Sequence, residues 1–423
     1  MRIIRVPNGH DWHLQIQLRS LYDLMMELLP RSEAQSRLQR VQGWMNRSGL
    51  DALFVLQNAD QYYFSGTVQV GLFSIPASGD PVYLVQKSPT RARWESPWEH
   101  IVPLSSLRNV PDILGAEKRF RPLRRIGLEM DVLPASYYLR FLAIFDGVEF
   151  LDASEAIRNI RMIKSPYELA QMRESARMLH GAFEAMPDWA HAGATELEIS
   201  AHLEAHLRLA GHQGITRMRG FNQEIAYGTV SSGPAASYPT CFPGPVGFIG
   251  LYPAIPGGAG LRRLERGEPL MVDIVGGYGG YIADKTRTFA VGELAADMRE
   301  AHDFVLSLNQ EIERMLKPGV PCSDVYSRAL DRVKESPYAE TFMGAGDSKV
   351  RFVGHAVGLE LDEWPVLAPG FDLPLQPGMT IAVEPKIFFP DRGGVGIENT
   401  YLVTDVGFEN LTPYREDIIQ LPR

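Results

Sequence analysis

Residues 270–289 read Leu270-Met-Val-Asp273-Ile-Val-Gly-Gly-Tyr-Gly-Gly280-Tyr-Ile-Ala-Asp284-Lys-Thr-Arg-Thr-Phe289. Two apolar runs flank a glycine-rich centre, the pattern of a β-hairpin. With the turn centred near Tyr278 and Gly279, Asp273 and Asp284 fall almost opposite one another on paired strands. Like charges facing each other across a ladder repel, and Asp273 has apolar neighbours in Met271, Val272, Ile274 and Val275. Such a buried pair persists when a cation sits between the two carboxylates or when one of them is protonated.

The device recurs downstream. Met379-Thr-Ile-Ala-Val-Glu384-Pro, a turn through Pro390-Asp-Arg-Gly-Gly394, and Val395-Gly-Ile-Glu398-Asn-Thr-Tyr-Leu-Val403 place Glu384 and Glu398 close to opposite. Between the hairpins, Phe352-Val-Gly-His355-Ala-Val-Gly358 sets a histidine in a glycine-flanked apolar stretch. One imidazole among four carboxylates suits two borderline divalent ions, Mn, Co, Zn or Fe, better than a tetrahedral structural zinc.

Around this core the 423 residues suggest two or three domains. Upstream, helical periods at Asp11–Leu29 and Glu33–Ser48 are followed by strand-like Asp51-Ala-Leu-Phe-Val-Leu, a hairpin of Gly71–Pro76 with Pro81–Val85, strand-like Arg125–Glu129, a helix over Pro134–Phe145 and strand-like Val148–Leu151. That alternation indicates a small α/β domain with a mixed sheet. Ser165-Pro-Tyr-Glu168 then has the form of a capping box with proline in the first turn, which sets a boundary near residue 160 and two domains, 1–160 and 161–423. Helices are expected over Tyr167–Met186, Glu196–Gly211 and Asp297–Leu316.

With 42 Lys+Arg against 51 Asp+Glu, the net charge of −9 has the wrong sign for a phosphate-binding surface, so nucleic acid is not an expected partner. Cys241 and Cys322 form neither a disulfide framework nor a C-x-x-C pair, which fits a reducing cytoplasm. No apolar run reaches the length of a membrane span, and no signal peptide is evident.

The order Asp273, Asp284, His355, Glu384, Glu398, with separations of 11, 71, 29 and 14, resembles the pita-bread metallopeptidase family, which includes methionine aminopeptidase, aminopeptidase P, prolidase and metal-free creatinase. Gly-His-x-x-Gly-Leu-Glu, Pro-Gly-Met-Thr-Ile-Ala-Val-Glu-Pro and Gly-Ile-Glu-Asn-Thr carry the same likeness. Gly49-Leu-Asp-Ala-Leu and Gln61-Tyr-Tyr-Phe-Ser-Gly66 resemble the creatinase-type N-terminal domain, which points to the aminopeptidase P, prolidase and creatinase branch. The resemblance implies an α/β chain whose C-terminal domain holds a curved antiparallel sheet flanked by helices. It also implies a homodimer, and two divalent ions sharing a hydroxide that attacks an amide. In that branch Asp284 and Glu398 would bridge the ions, Asp273 would hold one, and His355 with Glu384 the other, with Glu384 as proton shuttle.

The chain departs from the family around the centre. Ser232-Gly-Pro-Ala-Ala-Ser-Tyr-Pro-Thr240 has Ala235 and Thr240 where the family has asparagine and histidine. Asp362 replaces a histidine, Gly396 an arginine, and Arg351 takes the place of another histidine of aminopeptidase P. Tyr238, Thr240, Arg351 and Asp362 are therefore candidate substrate contacts, and the apolar insertion Cys241–Gly260 is a candidate for the pocket wall or a dimer contact.

Other motifs point elsewhere. His202 and His206 lack the H-E-x-x-H pattern, Gly276–Gly280 lacks G-x-G-x-x-G, and Cys241 reads as a buried small hydrophobe. The expected activity is Xaa-Pro peptidase-like hydrolysis of a small molecule or short peptide. The alternatives are the same centre acting on a non-peptide substrate, as a C–N hydrolase or lyase, and a non-catalytic binding module.

Overall fold

The computed structural model describes residues 27–422 of the chain. The helix expected over Asp11–Leu29 falls almost wholly outside the described residues. Contacts divide the chain after Ile160 into two compact units.

The first unit opens with a helix over Arg31–Ser48 and is built on six strands: β1 (Ala52–Val55), β2 (Gly71–Pro76), β3 (Val82–Val85), β4 (Ile101–Pro103), β5 (Arg125–Leu128) and β6 (Glu149–Asp152). They lie in the order β4-β3-β2-β1-β5-β6. β1–β2 and β2–β3 are antiparallel, while β3–β4, β1–β5 and β5–β6 are parallel. Parallel neighbours need a crossover; helices Pro89–Glu95 and Ala135–Ile144 supply it for β3–β4 and β5–β6. β1 and β3 are buried along their whole length, which is why they read as continuous apolar runs. The mixed sheet expected from the sequence is present.

The second unit contains the long hairpin of β8 (Pro269–Tyr278) and β9 (Tyr281–Ala290), flanked by β7 (Gly228–Ser232) on β8 and β17 (Ile419–Gln420) on β9. Its turn is Gly279–Gly280, with φ of 57° and 89°. Both positions need the left-handed region that glycine reaches without strain. Helix Pro166–Ala185, closed by the expected Ser165–Glu168 capping box, packs on this hairpin with helix Glu196–Leu209. Leu179, Phe183, Ile199 and Leu203 meet Val272, Ile274, Ala283 and Phe289 there.

A second sheet runs β11 (Glu363–Val366), β10 (Gly354–Ala356), β12 (Thr380–Val383), β15 (Asn399–Val403), β16 (Phe408–Asn410). β13 (Lys386–Phe389) and β14 (Gly393–Gly396) form a separate ribbon. Helices Ala296–Glu313 and Cys322–Lys334 cover this side through Val305, Leu308, Ile312, Val325 and Ala329 against Ile381, Val383, Ile387, Val395 and Tyr401. Among the described residues no helix is long and apolar enough to cross a membrane.

Candidate metal centre

The turn position decides how the two aspartates meet. Because it is Gly279–Gly280, and not Tyr278–Gly279, Asp273 pairs with Thr286 and Asp284 with Val275. The aspartates are offset by two residues, so they stay on one face of the hairpin without confronting each other directly.

The second hairpin keeps the expected register but opens in the middle. Val383 pairs with Asn399 on one side and Lys386 with Gly396 on the other, which leaves Glu384 and Glu398 facing across the gap. Pro385 cannot donate to a ladder. The Glu384 amide turns to Val353 O at 3.0 Å, and the Glu398 amide to Thr286 O at 3.1 Å. Thr286 Oγ1 donates to Glu398 Oε2 at 2.7 Å, and Arg287 donates to Glu398 O and Asn399 Oδ1. These bonds tie the hairpin to the second sheet.

His355, at the centre of β10, pairs with Ala382 and Val366. Its Nδ1 lies 3.1 Å from Leu361 O and 3.2 Å from Ala356 O. Two carbonyl acceptors place a ring proton on Nδ1, and Nε2 faces Glu384 Oε1 at 3.5 Å and Glu398 Oε1 at 3.8 Å.

Asp284, His355 and Glu398 each offer a ligand atom, all within 4.8 Å of one another. Asp284 Oδ1 and Glu398 Oε1 are buried with no hydrogen-bond partner. Unpaired buried acceptors beside an imidazole Nε2 suit a divalent cation. Asp273, Glu384 and Glu398 form a second such set, but here the Lys386 ammonium lies 2.8 Å from Asp273 Oδ2, 2.6 Å from Glu384 Oε2 and 3.4 Å from Glu398 Oε2.

The charges in this pocket act on one another. Burial and the neighbouring Glu398, Asp273 and Glu384 raise the Asp284 carboxyl well above the ordinary range. Burial, opposed by Lys386 and reinforced by Glu384 and Asp273, pushes Glu398 up to about 8. Glu384 is also raised by burial, against the pull of Lys386 and His355. Burial disfavours charge on His355, yet Asp362, Glu384 and Glu398 together raise it. A buried set of acids that resists ionisation is one that a cation stabilises.

All five expected ligands border one cavity, with about 530 Å³ of free space including its mouth. Asp362 lines it too, with its Oδ1 3.5 Å from His355 Nδ1. The insertion provides much of the wall through Phe242, Pro243, Pro245, Val246 and Phe248. Tyr238, Thr240 and Arg351 are not among the lining residues: Tyr238 and Arg351 are exposed, and Thr240 Oγ1 accepts the Phe242 amide at 3.1 Å. Cys241 is exposed, contrary to the expectation of a buried thiol, whereas Cys322 is buried on its helix. Sequence reasoning missed Lys386. The signal was its spacing: on a strand of period two, residue 386 shares a face with Glu384.

This fold and donor set define a metal-dependent hydrolase of pita-bread type. A family model for metallopeptidase family M24 matches residues 170–405, and one for the creatinase/prolidase N-terminal domain matches residues 37–163; the chain belongs to metallopeptidase family M24. It is 27% identical over 386 residues to an Xaa-Pro dipeptidase of Pyrococcus furiosus, covering 90% of this chain and 99% of that protein. Among solved structures, an Xaa-Pro dipeptidase from Bacillus anthracis superposes with a TM-score of 0.78 at 26% identity, covering 92% of this chain and all of the other. The prolidase from Pyrococcus horikoshii gives 0.74 at 25% identity, covering 90% and 99%.

Proposed function

We propose that the chain hydrolyses the Xaa-Pro bond of short peptides, as the names of its relatives suggest. The observation that carries this reading is the convergence of Asp273, Asp284, His355, Glu384 and Glu398 on one cavity. A divalent ion held by Asp284, His355 and Glu398 would supply Lewis acidity toward the scissile carbonyl and lower the pKa of water. Mn, Co, Zn and Fe all tolerate such an oxygen-rich set with one imidazole.

The protein's own groups do the rest. The Leu361 and Ala356 carbonyls fix the His355 ring. Glu384 has one oxygen held by Lys386 and the other facing His355, and its raised proton affinity suits it to take a proton from the attacking water and return it to the leaving amine. The segment Phe242–Phe248 shields the reacting bond with apolar side chains. We further place the enzyme in the cytoplasm as a homodimer, the first from its lack of paired cysteines and the second from the family resemblance. Residues through 160 form the creatinase-type domain and those from 161 the catalytic one.

A second reading is favoured by one observation. Apart from the expected ligands, the charged side chain lining the cavity is Asp362, while Thr240 and Arg351 stand away from it. A carboxylate there suits a cationic or non-peptide amide.

A panel of Xaa-Pro dipeptides, longer Xaa-Pro peptides and cationic amides, assayed with Mn or Co supplied, separates the two. Turnover of a dipeptide is the expected result, and the reading fails if no Xaa-Pro substrate is cleaved. Asp284→Asn is expected to reduce kcat/KM on the order of 1000-fold or more, as loss of a central catalytic group does.

A further inference from the structure

We infer that Lys386 is a built-in cation occupying the second metal position, so that the centre takes one divalent ion, held by Asp284, His355 and Glu398, in place of two. The inference rests on the metal-dependent reading above but not on the identity of the substrate.

Three observations carry it. First, the ammonium has 3 carboxylate partners, Asp273, Glu384 and Glu398, and these are the residues that group as the second potential metal set. A divalent ion ligated at roughly 2.0–2.2 Å by the same oxygens would be pressed against Nζ, where two cations share too little space and repel. Second, Lys386 is fully buried. A lysine with no exposed surface has no route by which its head reaches water, so the ammonium stays with its acidic partners unless the strand itself opens. Third, the fold makes room for it. Lys386 pairs directly with Gly396 across the β13–β14 ribbon, and a Cβ on residue 396 would stand 2.5 Å from Lys386 Cγ and 2.9 Å from its Cα. The glycine found where the resemblance sets an arginine is thus the space that the lysine stem fills. Against the pattern that the resemblance implies, the ribbon carries its positive charge on the opposite strand, at the residue paired with Gly396.

The pair of ions expected from the sequence is thereby reduced to one. The remaining set differs in kind from the displaced one: it contains the imidazole and two carboxylate oxygens without hydrogen-bond partners, whereas every acid of the displaced set is in contact with Lys386.

The test is metal stoichiometry, independent of turnover. Purified full-length protein is equilibrated with excess Mn or Zn, freed of unbound metal and analysed by plasma mass spectrometry, alongside Lys386→Gly and Lys386→Arg. Wild type and Lys386→Arg are expected to hold one ion per chain and Lys386→Gly two. Two ions in wild type, none in wild type, or an unchanged count in a folded Lys386→Gly overturns the inference. If the glycine variant does not fold, anomalous scattering from wild-type crystals grown with Mn or Zn decides: one peak at Asp284, His355 and Glu398 is expected, and a second among Asp273, Glu384 and Glu398 overturns it. A single ion with no Xaa-Pro cleavage would reject the substrate reading alone, whereas two ions with cleavage would reject this inference alone.

Discussion

Asp362 shows how a single substitution separates binding from metal chemistry. It borders the cavity and is about a third exposed, but its oxygen stands 3.5 Å from the His355 ring, farther than the carbonyl oxygens that orient that ring. Asp362→Asn is therefore expected to leave the metal count unchanged and to alter KM more than kcat, measured on the substrate panel; an equal loss in kcat would make it part of the reacting machinery. The five candidate ligands were legible because acids and an imidazole set into apolar strands are costly to bury unless a cation or a shared proton compensates them. Lys386 was not, because a lysine in sequence reads as solvated surface, and only its parity with Glu384 betrays the inward direction. Tyr238, Thr240 and Arg351 were candidates by their place in a motif, and a motif position does not say which way a loop residue points.

At the scale of elements, the β13–β14 ribbon is the least forgiving part of the site. Gly396→Ala would set a methyl group against the Lys386 stem and within 2.9 Å of Pro385 O. An overpacked core position costs about 1–3 kcal/mol, so thermal unfolding should show that loss. Lys386→Gly should relieve the part of the clash made with the lysine stem, leaving the backbone contacts, so the double variant should be less destabilised than the two single losses added together. The strands and long helices were readable from period and capping: the Ser165–Glu168 box is formed as expected. Helices Ser154–Met162 and Cys322–Lys334 were not anticipated. Short amphipathic segments between other elements draw their stability from tertiary packing, here Val325, Ala329 and Val333 in the helical core.

Within the second unit, a buried ion network is built on Glu360 and Glu363, the neighbours in sequence of the cavity-lining Leu361 and Asp362. Glu363 receives Lys164 Nζ at 2.8 Å and a close contact from Arg161, which also reaches Glu360 at 2.8 Å, while Arg219 approaches Glu360 at 3.6 Å. Burial alone would raise the Glu363 carboxyl, but Arg161 and Lys164 overcome it and hold the group down to about 2. Because the folded value lies below the unfolded one, this group stabilises fully above the ordinary carboxylate range near pH 4.5, and the contribution disappears as pH falls toward 2. Glu363→Gln strands buried cations and is expected to cost about 3–5 kcal/mol at pH 7. Urea titrations at several pH values should also show a shallower acid dependence in the variant. The register of the two hairpins has a further consequence for this unit, because it makes the metal centre far more sensitive to insertions than to substitutions. A point change removes one ligand. One residue added to the Gly279–Gly280 turn, or to the Pro390–Arg392 loop that closes Phe389 onto Gly393, would turn a whole strand over and withdraw its acid from the cavity together with every neighbour on that face. Two added residues would restore the face but move the acid by about 6–7 Å along the strand. The lengths of these two short loops therefore fix the placement of the candidate ligands as much as the identities of the residues do.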